Sequence, residues 1–191
     1  SDDDDEPAER SSASWDDLVA ADPARALSFS VLMAGCGAAL GPFLDSYHSA
    51  FGVLKYDEPI TATLWGSAAF PALTTAWWVP ELFGLAGFLI GWLYVILDAV
   101  CRTDEGTTRP SPAKTLLGIS VFTLQYWISG ILFQGQVDRT TILNVMSVAA
   151  SVGFLVLDGS TAGLLTSAAT ALGGPAIEAG LLWSTRQGDF P

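Results

Sequence analysis

The chain has 191 residues, of which half are apolar and only 15% are charged, and its mean hydropathy is +0.42. A soluble domain usually carries about 25% charged residues, so the composition excludes a body that is wetted on all sides and indicates a membrane protein. The net charge of −12 excludes nucleic acid as a partner, because phosphates repel an acidic chain without a basic stripe.

The first 22 residues form an acidic segment that holds nine of the twenty carboxylate side chains. Low hydrophobicity and like-charge repulsion predict a flexible tail over residues 1–22, followed by a transmembrane helical domain over residues 23–191. Trp15 is the one indole in the tail. The tail is therefore either solvated, or an arm that contacts a partner through Trp15.

The first predicted span runs from Ala26 to Leu44 and is rich in glycine and alanine, which let helices approach closely in lipid. We expect it to end at Gly41-Pro42. The next apolar stretch, Ile60 to Leu73, is interrupted by Pro71, and it is interpreted as a short interfacial or half-embedded helix.

The second span begins at Trp77 and ends at Leu97, before Asp98. Adjacent indoles are typical anchors at a membrane boundary, and Pro80 is placed to open a helix. Gly87 and Gly91 give a GxxxG pattern in an apolar context, which predicts close contact with another helix.

Three more apolar runs predict a third, a fourth and a fifth span. These runs are Thr115–Phe133, Thr141–Leu157 and Thr161–Trp183, the last of them interrupted at Gly173-Gly174-Pro175. Asp158-Gly159 marks the end of the fourth helix. The fold class predicted for the chain is all-α, a polytopic transmembrane helical bundle of about five spans with an acidic N-terminal tail.

Polar groups inside an apolar bundle are costly and are candidates for function. Glu178 follows Pro175 in the fifth run, where it could bind a cation, a proton or a ligand hydroxyl, or could face water at the membrane surface. Gln125 and Tyr126 could hold a lipid headgroup or form a hydrogen bond between helices. Asp158 either has such a role or ends its helix at the interface.

Few other residues could bind a metal or take part in catalysis. His48 is the only histidine, and it is either a hydrogen-bonded interfacial residue or a ligand to a pigment magnesium. The two cysteines, Cys36 and Cys101, belong to no CxxC or Cys/His cluster, so neither a zinc site nor a disulfide is expected. Without a phosphate loop, a nucleotide fingerprint or an HExxH motif, the chain is predicted to be non-catalytic.

Ala76-Trp77-Trp78-Val79-Pro80 begins the second span, and the segment from Gly91 to Asp98 ends it. Both resemble the second helix region of the Insig (insulin-induced gene) family of membrane proteins. Leu117 to Phe122 resembles the start of the third helix, and Val156 to Ser160 resembles the end of the fourth. Gly159 stands where the family carries an arginine, and the sixth helix is missing.

The resemblance implies a protein of the endoplasmic reticulum that binds a lipid or isoprenoid among its helices and packs against other integral membrane proteins. Its ligand would enter a groove between the second, third and fifth spans. Apolar contacts would come from Trp78 and Phe88. Polar contacts to the ligand would come from Gln125, Tyr126 and Glu178. Contacts to a partner protein would come from Asp158 and Trp15.

The alternative is a structural subunit of a larger membrane complex, for instance an algal photosynthetic supercomplex in a plastid thylakoid membrane. Chlorophyll or carotenoid would then be possible cofactors. The candidate magnesium ligands under this alternative are His48, Gln134 and Gln136.

Overall fold

The structure is a computed structural model that describes residues 22–56, 58–62, 73–101 and 111–186. Within these ranges, the long apolar runs form five α-helices, and a small antiparallel sheet lies between the first two. The elements in order are α1 (Pro23–Ala50), β1 (Ile60–Ala62), β2 (Leu73–Thr75), α2 (Val79–Cys101), α3 (Pro112–Gln134), α4 (Arg139–Leu157) and α5 (Thr161–Arg186). The predicted all-α helical bundle is confirmed.

Four of the described helices, α1 to α4, are long and apolar enough to cross a membrane, which fits an integral membrane protein. The fifth, α5, is not among them, although about five spans were expected. Large apolar side chains remain on the outside of the bundle, and α4 has no buried residue. Lipid is the solvent that such surfaces require, because in water they would be an aggregation hazard.

Side-chain caps fix where three helices begin. Asp22, Ser111 and Asp138 precede α1, α3 and α4, and the side-chain oxygen of each accepts a hydrogen bond from the backbone N–H three residues later, at 3.0, 3.2 and 2.9 Å. Such caps satisfy one of the backbone donors that a helix leaves free at its start. These three helices therefore start two or three residues before the predicted spans.

Two prolines lie inside helices where the sequence predicted an end or an interruption. The helix α1 continues through Pro42 to Ala50, and α5 continues through Pro175 to Arg186. Both predictions were wrong. A proline removes one backbone hydrogen bond, but the residues on either side of it can continue the helix. Pro42 is buried, and the residues before it pack against α2.

The predicted interfacial helix at Ile60–Leu73 was also wrong in the part that the structure describes. Residues 60–62 and 73–75 pair as antiparallel strands, with Ile60 opposite Thr75. Isoleucine and threonine are β-branched and favour the extended backbone. Residues 63–72, including Pro71, lie outside the described residues. The strand β2 packs on α1, so this hairpin covers one end of that helix.

The helix α1 contacts both α2 and α3, while α5 packs on α2 and α4 packs on α3. The closest contact is between α1 and α2, where glycines replace side chains. A Cβ added to Gly87 would lie 2.5 Å from the carbonyl oxygen of Met33, and one added to Gly37 would collide with the backbone of Phe83. The GxxxG prediction of a close helix contact at Gly87 and Gly91 is therefore confirmed.

Candidate functional site

The C-terminal end of α1 carries a buried carboxylate. Asp45 is only 5% exposed, and it lies between Leu44 and Ser46, which are also buried. The Tyr56 hydroxyl, from the segment after α1, donates a hydrogen bond to Asp45 Oδ2. The Tyr56 ring meets the Trp78 ring edge-on with 6.0 Å between centroids, so the loop is held between α1 and the start of α2.

Tyr56 is a neutral donor in this arrangement. Its pKa is raised above the ordinary value, first by burial and then by its hydrogen bond to Asp45 and by the charge of that carboxylate. A phenol that donates to a carboxylate resists ionisation, because losing its proton would bring two anions together. The pair therefore stays hydrogen-bonded over the neutral pH range.

Thr75, on β2, completes this group of residues, which we call the Asp45 cluster (Asp45, Tyr56 and Thr75). Its hydroxyl is buried and approaches Asp45 as a hydrogen-bond donor, but this contact falls outside standard hydrogen-bond geometry, and no other partner lies within the described part of the chain. Buried polar atoms are nearly always satisfied, so such an atom requires an explanation.

A second polar group joins α1 to α3. His48 Nε2 lies 2.9 Å from the Ser129 hydroxyl oxygen, and the His48 ring stacks on the Tyr126 ring with 4.7 Å between centroids. The Ser129 hydroxyl donates to the Tyr126 carbonyl oxygen at 2.8 Å. Because this uses the one proton of Ser129, the serine oxygen accepts the bond from Nε2–H. We call these three residues the His48 cluster.

This arrangement is not that of a nucleophile and its base. In a serine hydrolase the imidazole accepts the serine proton and a carboxylate orients the other ring nitrogen. Here Nε2 is the donor, and the Asp45 carboxylate is bound by Tyr56 rather than by His48 within the described residues. The geometry is that of a structural hydrogen bond that links α1 to α3.

An open groove of about 500 Å³ lies between α1 and α3, beside the His48 cluster. Tyr47 on α1 lines it from one side. On α3 the lining residues follow the spacing of a single helix face: Ile119, Ser120, Thr123, Leu124 and Trp127. This α1/α3 groove therefore combines an apolar wall, the aliphatic hydroxyls of Ser120 and Thr123, and the aromatic rings of Tyr47 and Trp127.

The predicted ligand residues lie in different parts of the bundle. Tyr126 belongs to the His48 cluster, and Trp78 packs against Tyr56. Gln125 points toward α4, where its Nε2 would lie 3.7 Å from a Cβ added to Gly153. Phe88 is half-buried on α2. Glu178 lies on α5, but its side chain is outside what the structure describes.

The expected groove between the second, third and fifth spans is not matched by the helix packing. The third span, α3, makes its main contacts with α1 and α4, whereas α5 packs on α2. The α1/α3 groove lies elsewhere and contains none of the five predicted ligand residues.

Asp158, a predicted partner residue, is bonded within the chain. Its Oδ1 accepts from the Ser160 backbone N–H at 3.1 Å and lies 3.3 Å from the Tyr94 hydroxyl on α2. The side chain therefore ties the connection between α4 and α5 to α2. Trp15, the other predicted partner residue, lies outside the described residues.

The two glutamines proposed as pigment ligands are at the turn after α3. Gln134 is the last residue of that helix and is exposed, and Gln136 is exposed with a positive φ of 56°. Both cysteines are free, as expected. Within the described ranges, no three His, Cys, Asp or Glu side chains come together as a metal site would require.

Sequence reasoning missed the residues that build these clusters. Tyr56, Thr75 and Ser129 are ordinary residues in sequence, and Asp45 directly follows the predicted first span without a further signal. The available signal was a carboxylate and an imidazole three residues apart, which share one face of a helix. Comparison of the chain with protein-family models, with curated proteins and with solved structures returned no match.

Proposed function

We propose that this protein is a non-catalytic, Insig-like membrane adaptor that binds a lipid or isoprenoid in the α1/α3 groove. The observation that carries the proposal is the groove itself, whose volume of about 500 Å³ is of the size that small-molecule sites have. An apolar wall suits an acyl or isoprenoid chain, and a few hydroxyls suit a polar group at one end of it.

The position of the groove supports an amphipathic ligand. Trp127 and Tyr47 lie at the end of the groove nearest the His48 cluster, and indole and phenol rings favour the membrane–water boundary. Ile119 lies two turns earlier on α3 and gives the other end of the groove an apolar side chain. A ligand would thus place its polar group near Trp127 and its chain along α3.

The adaptor role is supported by the apolar surface of the bundle. Exposed side chains on α4 include Leu143, Val148, Leu155 and Val156, at 60% to 72% exposure. Another integral membrane protein could pack on this face in place of lipid. The family resemblance assigns such a protein to the endoplasmic reticulum, and the photosynthetic alternative assigns it to a thylakoid membrane.

The test is to purify the protein from its native membrane in mild detergent and to identify the extracted lipids by mass spectrometry. We expect one lipid or isoprenoid to be enriched. The substitution Thr123→Phe fills the groove and should lower the occupancy of that ligand about tenfold, a loss of about 1.4 kcal/mol of binding free energy.

Leu117→Phe is the matched control, because Leu117 is exposed on the same helix and does not line the groove. Equal occupancy in the Thr123 variant and in the wild type would contradict the proposal, and so would the absence of any enriched lipid. A preparation that carries chlorophyll and migrates with other subunits would instead support the structural-subunit alternative.

A further inference from the structure

The Asp45 cluster lacks a group that would balance its charge. Asp45 is 5% exposed, and the donors that reach it in the described residues are the neutral hydroxyls of Tyr56 and, less closely aligned, Thr75. Among the described residues, the only side chain able to carry positive charge that acts on Asp45 is His48. The Nε2 atom of His48 is already bonded to Ser129. A buried carboxylate requires compensation that this set of residues does not supply.

Thr75 is an independent observation at the same place. Its side chain is 6% exposed, and its buried hydroxyl makes no hydrogen bond of standard geometry in the described residues. The hydroxyl approaches Asp45 as a donor, so an incompletely satisfied hydroxyl and a carboxylate without a counter-charge face each other. A single bound species between them would satisfy both.

We propose that the Asp45 cluster binds a sodium ion. The donors it offers are oxygens: the carboxylate of Asp45, the hydroxyl of Thr75 and the phenol of Tyr56. Oxygen donors select hard cations over zinc or copper, which prefer nitrogen and sulfur. A monovalent ion matches one carboxylate, and the pair is neutral in a medium of low dielectric constant.

A divalent ion does not fit this charge balance. One carboxylate would leave a net positive charge buried at the end of α1, and the described residues contain no group of three His, Cys, Asp or Glu side chains that could hold a divalent ion. Calcium and magnesium sites draw on several carboxylates or on substrate phosphates. The cluster therefore discriminates by charge as well as by donor type.

Sodium binding would connect three parts of the chain. Asp45 lies on α1, Tyr56 lies in the segment after it, and Thr75 lies on β2 directly before α2. The ion would hold the hairpin against the end of α1, where Tyr56 also contacts Trp78. The inference does not depend on the α1/α3 groove, because no residue of the cluster lines that groove.

The experiment is a thermal unfolding titration of the full chain in detergent at pH 8, with sodium chloride replacing choline chloride at constant ionic strength. We expect a saturable rise of the Tm, on the order of 5 °C at a hundredfold excess over the Kd. Asp45→Asn should abolish the sodium dependence. Thr75→Val keeps the shape of the side chain, and it should raise the Kd for sodium about tenfold.

Ser46→Ala is the matched control, because Ser46 is also buried but already donates to the Phe43 carbonyl oxygen at 2.6 Å. It should leave the Kd for sodium unchanged. If Asp45→Asn does not fold, the sodium titration of Thr75→Val tests the proposal by itself. A Tm that is independent of sodium but rises as the pH falls would show that a proton neutralises Asp45, and it would overturn the proposal. An unchanged sodium effect in Thr75→Val would overturn it as well.

Discussion

His48 on α1 and Ser129 on α3 are 81 residues apart in sequence, yet their Nε2 and Oγ atoms lie 2.9 Å apart. This bond, with the stacking of His48 on Tyr126, fastens α3 to the C-terminal end of α1. Because α4 packs on α3, the bond also helps to position α4. The His48 cluster is thus a joint between two parts of the bundle.

The first prediction concerns this joint. Ser129→Ala should lower the free energy of unfolding by about 1 kcal/mol, the usual net contribution of one hydrogen bond. His48→Phe keeps a ring for stacking but removes the nitrogen. A double-mutant cycle in detergent, followed by reversible unfolding, should give a coupling energy of about 1 kcal/mol between the two positions. Additive losses would show that the hydrogen bond contributes nothing.

The second prediction concerns the glycines of α1. Gly37→Ala places a methyl group against the Phe83 backbone and should destabilise the protein by about 1 to 3 kcal/mol. Gly35→Ala is the matched control on the same helix, because nothing lies within 4 Å of its added Cβ. The control should be neutral, or should stabilise the helix by up to about 1 kcal/mol. Equal Tm values for the two variants would contradict the described packing of α1 on α2.

The pattern of apolar runs was sufficient to predict the helices, since each span requires about 20 apolar residues regardless of its neighbours. It failed at Pro42 and Pro175, because whether a proline ends a helix depends on the residues around it. It also failed at Ile60, which pairs as a strand with Thr75, a partner more than ten residues away. Local propensity is a weak guide in both cases.

The candidate sites were harder to predict than the fold. Tyr126 and Gln125 are adjacent in sequence, but they face α1 and α4, respectively. Neighbouring residues on a helix point about 100° apart, so a cluster of polar residues in sequence does not form a cluster in space. The partners of His48 and Asp45 come from distant segments, which a single sequence does not bring together.

The third prediction concerns Tyr56 at alkaline pH. Its raised pKa means that the folded protein keeps the phenol proton above pH 10, where an unfolded chain loses it. The contribution of Tyr56 to stability is therefore fully present below pH 10 and is lost as the pH rises toward the folded-state pKa. An absorbance titration at alkaline pH should show a late-titrating tyrosine in the folded wild type that titrates normally after unfolding. In Tyr56→Phe, the loss of that late-titrating group should be the only change.

The fourth prediction concerns the start of α4. The hydrogen bonds from Thr141 lower the pKa of Asp138, which is exposed. The cap stabilises the helix above the unfolded-state pKa of this carboxyl group, and the stabilisation is lost as the pH falls through the lower folded-state pKa. Asp138→Ala should speed amide hydrogen exchange in the first turn of α4 about fivefold.

Asp138→Ser is the conservative variant, because serine also caps helices but does not titrate. It should retain slow exchange at neutral pH and should lack the acid-dependent change. If Asp138→Ala leaves exchange at Thr141 and Ile142 unaltered, the cap is not formed in solution.

The contact between α1 and α2 also limits how this protein can vary. Every replacement of glycine adds at least a Cβ, so any missense change in the codons of Gly37 or Gly87 forces one backbone away from the other. The helix α4 has no buried residue, so we expect exchanges among its exposed apolar side chains to cost little. Among natural variants and functional clones from random mutant libraries, substitutions should therefore be rare where α1 contacts α2 and frequent on α4.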